Sequence, residues 1–280
     1  MVTADAEGPA VSRPKLGRLG VEHPDEWALG LPAHAAVEVR GETSDASFRR
    51  LPLASLTTLN DAIGIELAKP SGETVLSVPA RALEGSSQEG PTFNLGFGET
   101  CRMLVDLSGL LADALPGTYT ARLSYGGRTR RTESAPFEIA IRLPTEDERL
   151  VLDALRAEGG GAGDWGSWTY RRRPRDAPWL LLPPGHPLRY HLVLNELLFG
   201  PEELSEVDPA VLDEVDSVAR PEAEATRAEL LAARGAAADF QRQAARVRQQ
   251  WPGLAWWMDR IADGRSELAF LRGANAEPPG

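Results

Sequence analysis

Leu115-Pro116-Gly117-Thr118-Tyr119-Thr120-Ala121-Arg122-Leu123-Ser124-Tyr125 decides how the first half of the chain is read. A Pro-Gly turn feeds a run with Tyr119, Ala121, Leu123 and Tyr125 on one face and Thr120, Arg122 and Ser124 on the other. That period of two marks a strand with one face in a core. The same period recurs on both sides. Upstream, Ile63, Ile65 and Leu67 alternate inward, Lys69-Pro70-Ser71-Gly72 makes a tight turn, and Thr74–Val78 returns as the second arm of a hairpin. His34–Arg40 alternates weakly, and Pro52 in the short run Ser47–Leu53 suits an edge. Phe93, Leu95 and Phe97 are spaced by two, and Arg102–Asp106 is a further strand. Leu107–Ala114 is too interrupted for a full helix and reads as one helical turn across the end of the sheets. Downstream, Phe137, Ile139 and Ile141 alternate in the closing strand. Residues 34–143 therefore read as a two-sheet antiparallel β-sandwich of about seven or eight strands.

The series Asp106-Leu107-Ser108, Leu115–Tyr119, Tyr125 and a last strand ending near Pro144 resembles the second half of immunoglobulin-like and fibronectin type III-like domains. In those families a tyrosine after a Pro/Gly turn bonds back to the backbone as a tyrosine corner, and Tyr119 holds the matching position. The resemblance is one of fold. The inter-sheet cysteine pair of antibody domains is absent, and no Trp lies between Ala28 and Asp164. The resemblance implies a binding or spacing role, which a shared fold warrants only weakly.

From Pro144 the period becomes helical. Thr145-Glu146-Asp147-Glu148 is a capping box that opens a helix with Val151, Leu152 and Leu155 on one face and Gly159-Gly160-Gly161 at its end. Pro187–Phe199 is apolar nearly all round and predicts a buried helix. Asp208-Pro209 pairs an N-cap with a proline at the first helical position. A long helix is expected from Pro221 to Gln250. Its Leu230, Ala233, Ala237, Phe240, Ala244, Val247 and Trp251 form a coiled-coil-like seam, interrupted by Gly235, that suits an intrachain helix pair or helix-mediated self-association. Another helix follows Gly253. The fold class expected is α+β by segregated domains, an immunoglobulin-like sandwich followed by an all-α domain. The divisions are a mobile arm at 1–33, in which Trp27 docks onto the body, the sandwich at 34–143, a connecting helix at 144–158, a connector at 159–187, a helical domain at 188–272 and a tail at 273–280.

Composition narrows the function. With 42% hydrophobic and 25% charged residues the chain is globular in type. A net charge of −11 argues against general nucleic-acid binding, which rests on Lys and Arg neutralising phosphates. No run reaches the ~20 apolar residues a membrane span needs. Met1–Gly20 has no apolar signal-peptide core, so a cytoplasmic protein is expected. Cys101 is the single cysteine, which rules out an intrachain disulfide and a cysteine-based zinc site.

Catalytic signatures fare poorly. Gly161-Ala162-Gly163-Asp164-Trp165-Gly166 spells a dinucleotide fingerprint but follows a helix instead of a strand. His186 and His191 would point roughly 140° apart on a regular helix and could not share a metal. No Gly-x-Ser-x-Gly elbow is present. Cys101 beside Arg102 reads as a small half-buried apolar residue. The expectation is a non-enzyme with no catalytic residue, metal or cofactor.

Two stretches suit a protein partner. Trp165, Trp168 and Tyr170 stand beside Arg171, Arg172, Arg173 and Arg175 in the connector, a composition typical of interface hot spots. Glu202–Glu224 is acidic and reads either as a solvated helical face or as a site for a basic partner. The reading that follows is an interaction or scaffold protein whose contact surface is the connector with the helices. The alternatives are an effector whose helices are released by cleavage at the Gly-rich connector, and a hydrolase with an unrecognised site.

Overall fold

The computed structural model describes residues 17–31, 33–41, 46–49, 63–79, 92–95, 97–126, 131–157, 182–183, 186, 193, 197, 203–215 and 217–269. Within them the chain is α+β, with two packed sheets, a short two-stranded ribbon and a layer of helices. The three-stranded sheet has the order β1 (Gly17–Glu22), β3 (His34–Gly41), β8 (Thr100–Asp106). The second runs β2 (Glu26–Ala28), β11 (Phe137–Arg142), β9 (Gly117–Gly126), β5 (Ile63–Ala68), β6 (Thr74–Val78), with β10 (Arg131–Glu133) also on β9. The ribbon pairs β4 (Ala46–Arg49) with β7 (Thr92–Leu95).

The opening stretch is the central strand β9, paired with β5 on one side and β11 on the other. Tyr119, Ala121, Leu123 and Tyr125 are all buried, as their alternation requires. They face Ala35, Val37 and Val39 of β3 and Cys101, Met103 and Val105 of β8 across one core. The Tyr119 hydroxyl donates to the Leu115 carbonyl at 2.8 Å, which locks the turn to the strand it feeds. Ile63, Ile65 and Leu67 point inward, and the turn after them is closed by bonds between Lys69 and Glu73 and from the Gly72 N–H to Lys69. Leu107–Ala114 makes consecutive turns, Leu111 donating to both Leu107 and Ser108.

Several expectations are corrected. Residues 17–31 are not an arm: β1 and β2 join one sheet each, and Trp27 is buried in the core between the sheets. Leu19 and Val21 carry too short an alternation to stand out, and pairing supplies the rest. The larger sheet is mixed, because β2 runs parallel to β11. Phe97 lies in the turn before β8 and is exposed.

The long helix is broken into α2 (Arg220–Ala233) and α3 (Ala237–Gln250), which follow α1 (Glu146–Ala157). Gly235 makes the break with φ +71°, a conformation costly for other residues. Its N–H bonds to Ala232 and that of Ala236 to Leu231, the pair of bonds that closes a Schellman C-cap. The seam survives only in part: Leu230, Phe240, Ala244 and Val247 are buried, Ala233 and Ala237 exposed. Asp208 caps as expected, accepting from Ala210 at 2.9 Å, but the helix it starts is a 3-10 helix, Pro209–Glu214. Another 3-10 turn, Pro252–Leu254, leads into α4 (Ala255–Ala262).

The sheet–helix boundary differs most from the expectation of segregated domains. Successive residues of β8 alternate between two interiors: Cys101, Met103 and Val105 enter the core between the sheets, while Arg102 and Leu104 face the helices. Ala36 of β3 joins Leu104 in a second core with Leu230, Phe240, Trp257, Met258 and the helical positions Val193 and Leu197. Contact is close enough to require glycine at 253, where a Cβ would lie 2.9 Å from the Arg102 backbone nitrogen. The three-stranded sheet is thus a middle layer, covered on both faces. No helix among the described residues is long and apolar enough to cross a membrane.

Candidate interaction surface

The expected contact residues Trp165, Trp168, Tyr170, Arg171, Arg172, Arg173 and Arg175 lie outside the described residues. So do His191 and most of the expected helix 187–199. The structure does describe what stands immediately before and after the connector.

Before it is α1. Its capping box is formed as the sequence predicts: the Glu148 N–H donates to Thr145 Oγ1 at 3.3 Å, and the Thr145 N–H donates to Glu148 Oε2 at 2.7 Å. Glu148 does more than cap. Arg142, at the end of β11, donates to both its oxygens at 2.6 and 2.7 Å, a bidentate pair. Arg142 also holds Glu26 of β2 at 3.0 Å. At the far end of the connector, His186 Nε2 lies 2.8 Å from Glu148 Oε1. One buried carboxylate therefore fixes the start of α1, the end of β11 and the point at which the chain re-emerges from the connector. The box motif reveals Glu148 as a cap. Nothing in the local sequence reveals its bonds to Arg142 and His186, which depend on the fold.

Burial alone would push the Glu148 carboxyl up, but its bonds from Arg142, the Thr145 N–H and His186 outweigh that and hold it down at about 2. A folded-state value below the ordinary 4.5 means that the stability it contributes is present above about pH 4.5 and is lost as pH falls toward 2. Glu148→Gln is expected to cost about 2–3 kcal/mol near neutral pH, the range for hydrogen bonds to a charged group. Urea unfolding across a pH series checks this, and the gap between variant and wild type should close as the medium is acidified.

Single exposed leucines flank these elements. Leu115 precedes β9 and Leu143 follows β11. They are 72% and 66% exposed, and Leu150 on α1 is exposed too.

Two further clusters of charged groups are engaged inside the fold. Arg102 Nε donates to Glu222 Oε1 at 2.9 Å, its NH1 to Glu22 at 2.6 Å and its NH2 to the Val218 carbonyl at 2.7 Å. Glu224 sits among Arg220, Arg227 and Arg246, and Arg227 also binds Asp213. Part of the stretch Glu202–Glu224 is therefore neither a solvated face nor a docking site, since Glu222 and Glu224 are buried. Cys101 is fully buried in the core between the sheets, on the opposite face of β8 from the Arg102 guanidinium. His23 packs on Phe137, His34 is buried in β3 and His186 is on Glu148, so the described histidines do not converge. Among the described residues no group of three or more His, Cys, Asp or Glu could hold a metal.

No protein-family profile matches the chain, and no curated protein does. Among solved structures it is similar to the sulfur carrier protein SoxY from Chlorobium limicola f thiosulfatophilum, at 8% identity over 45% of this chain and 79% of that one, with a TM-score of 0.19. It is also similar to the CARDB domain of a Pyrococcus furiosus protein, at 8% identity over 45% of this chain and 94% of that one, with a TM-score of 0.20.

Proposed function

We propose that this protein is a non-enzymatic interaction or scaffold protein. The sandwich acts as its rigid body, and the Trp/Arg connector, with the adjoining helices, contacts a partner protein. The observation that carries this reading is the Glu148 node: the chain enters the connector from α1 and leaves it at His186, both tied to one buried carboxylate. Trp165, Trp168, Tyr170, Arg171–Arg173 and Arg175 belong to the stretch of sequence between these two anchors. Presentation from a rigid base lowers the ordering cost of binding, and aromatic and arginine side chains supply most hot-spot energy. We read the sandwich itself as immunoglobulin-like, on the support of the Tyr119–Leu115 corner. Release of the helices by cleavage is the weaker alternative, because Ala36 and Leu104 share the helical core and Arg102 is buried against Glu222.

The test is capture by the full-length chain from a lysate of its source cells, with cross-linking to map the contact. Replacing Arg171, Arg172 and Arg173 together with Ala should weaken capture about tenfold or more and leave the melting temperature unchanged. Cross-links should fall on the connector. Undiminished capture with a lowered melting temperature would show that these arginines serve the fold instead.

A further inference from the structure

A cavity of about 490 Å³ opens between the 3-10 turn Leu204–Glu206 and the C-terminal turns of α2 and α4. Its wall includes Leu204, Ala232, Ala233 and Ile261, its floor Glu229 and Ser266, and its rim Glu203. No Lys, Arg or His is among its described lining residues. The volume is that of a small-molecule site, and grooves between helices are a common place for one.

Glu229 distinguishes this cavity from an ordinary surface hollow. It is 2% exposed. The other buried glutamates of the described residues each have a guanidinium: Glu148 has Arg142, Glu222 has Arg102, Glu224 has Arg220, and Glu267 has Arg260. Among the described residues Glu229 has only neutral donors. Its Oε1 accepts from the Ser266 hydroxyl and from the Leu268 N–H at 3.0 Å, and its Oε2 accepts from Trp257 Nε1 at 2.9 Å. An ionised carboxylate has about four acceptor positions, so Oε2 keeps one open. Three neutral donors orient the group, none of the described residues supplies a counter-charge, and burial pushes its carboxyl up.

We propose that this cavity binds a small organic cation, a primary ammonium on a short apolar chain, with the ammonium on Glu229 and the chain along Leu204, Ala232 and Ile261. An inorganic cation suits it poorly, because hard cations require several oxygen ligands and the floor offers one carboxylate whose neighbour Ser266 is already donating to it. The site is independent of the contact surface at α1.

Isothermal titration calorimetry on the full chain at constant ionic strength decides the matter, with n-butylammonium as probe, 1-butanol as its neutral counterpart and potassium as the inorganic cation. Butylammonium should bind the wild type, and it should bind Glu229→Gln about tenfold more weakly or worse. Ala232→Phe, one turn along α2 from Glu229, fills the cavity from the wall and should abolish binding. It serves as the deciding variant if Glu229→Gln does not fold. Butanol should give at least about a tenfold weaker response than the amine. The proposal is overturned if the wild type takes up no butylammonium, if butanol matches it, if potassium displaces it at equal concentration, or if Ala232→Phe binds it undiminished.

Discussion

Arg102→Ala is expected to destabilise the protein by about 3–5 kcal/mol, the cost of breaking a buried ion pair by removing one partner. The guanidinium sits between the middle sheet and α2, and the Arg102 and Glu222 side chains are almost wholly removed from solvent. Once it is gone, Glu222 keeps a buried carboxylate with no counter-charge nearby, and its Oε2 already lacks a hydrogen bond. The bond to Glu22 contributes less, because that carboxylate is half exposed and screened. The pair need not be stabilising in itself. The double variant Arg102→Met, Glu222→Leu should recover most of the loss, since a packed apolar pair avoids the desolvation of both charges. Guanidinium unfolding of the single and double variants forms the cycle, and a loss under about 1 kcal/mol for Arg102→Ala would mean that water reaches the seam. Titration gives a further check. Burial pushes the Glu222 carboxyl up to about 7, Arg102 pulling the other way. The folded state then binds more protons than the unfolded state above about pH 4.5, and stability falls as pH rises from there toward 7. Glu148 has the opposite sign and acts at lower pH, and Glu222→Gln should flatten only the upper slope.

The parts of this structure that were legible in the sequence are those decided within a few residues. Tyr119 and the Pro-Gly turn before it predict their own hydrogen bond. Thr145 and Glu148 predict the capping box, and Ile63, Ile65 and Leu67 predict a one-sided strand. What escaped depends on neighbours distant in sequence. Arg102 looks like the polar face of a strand because nothing local says that helices cover that face. A signal was nevertheless present: Cys101, Met103, Leu104 and Val105 make β8 apolar on both faces, as in strands buried on two sides. The acidic stretch misled for the same reason, since Glu222 finds its arginine 120 positions away. Gly235 was visible as an interruption of the seam. That it ends one helix and starts another follows from its positive φ, which composition alone does not reveal. Glu229 lacked any signal, because a glutamate on a helix reads as solvated until packing removes the solvent.

Trp257→Ala should cost about 3–5 kcal/mol, the range for deleting a large aromatic from a closed core. Trp257 is 1% exposed, stacks on Trp256 with ring centroids 5.7 Å apart, and gives its N–H to Glu229. Trp257→Phe separates these contributions. It keeps much of the ring volume and removes the donor, so it should cost about 1–3 kcal/mol, the penalty for an unmet buried acceptor. The form of the transition matters as much as its midpoint. Trp257 belongs to the same core as Ala36 of β3 and Leu104 of β8, so weakening the helices should lower the stability of the sheets with them. Far-ultraviolet circular dichroism and amide hydrogen exchange in β9 should therefore report one coincident transition at a lower denaturant concentration. An early helical transition that leaves the β9 amides protected would mean that the sheets and helices unfold as separate units, and that the core they share through Ala36 and Leu104 is too weak to couple them.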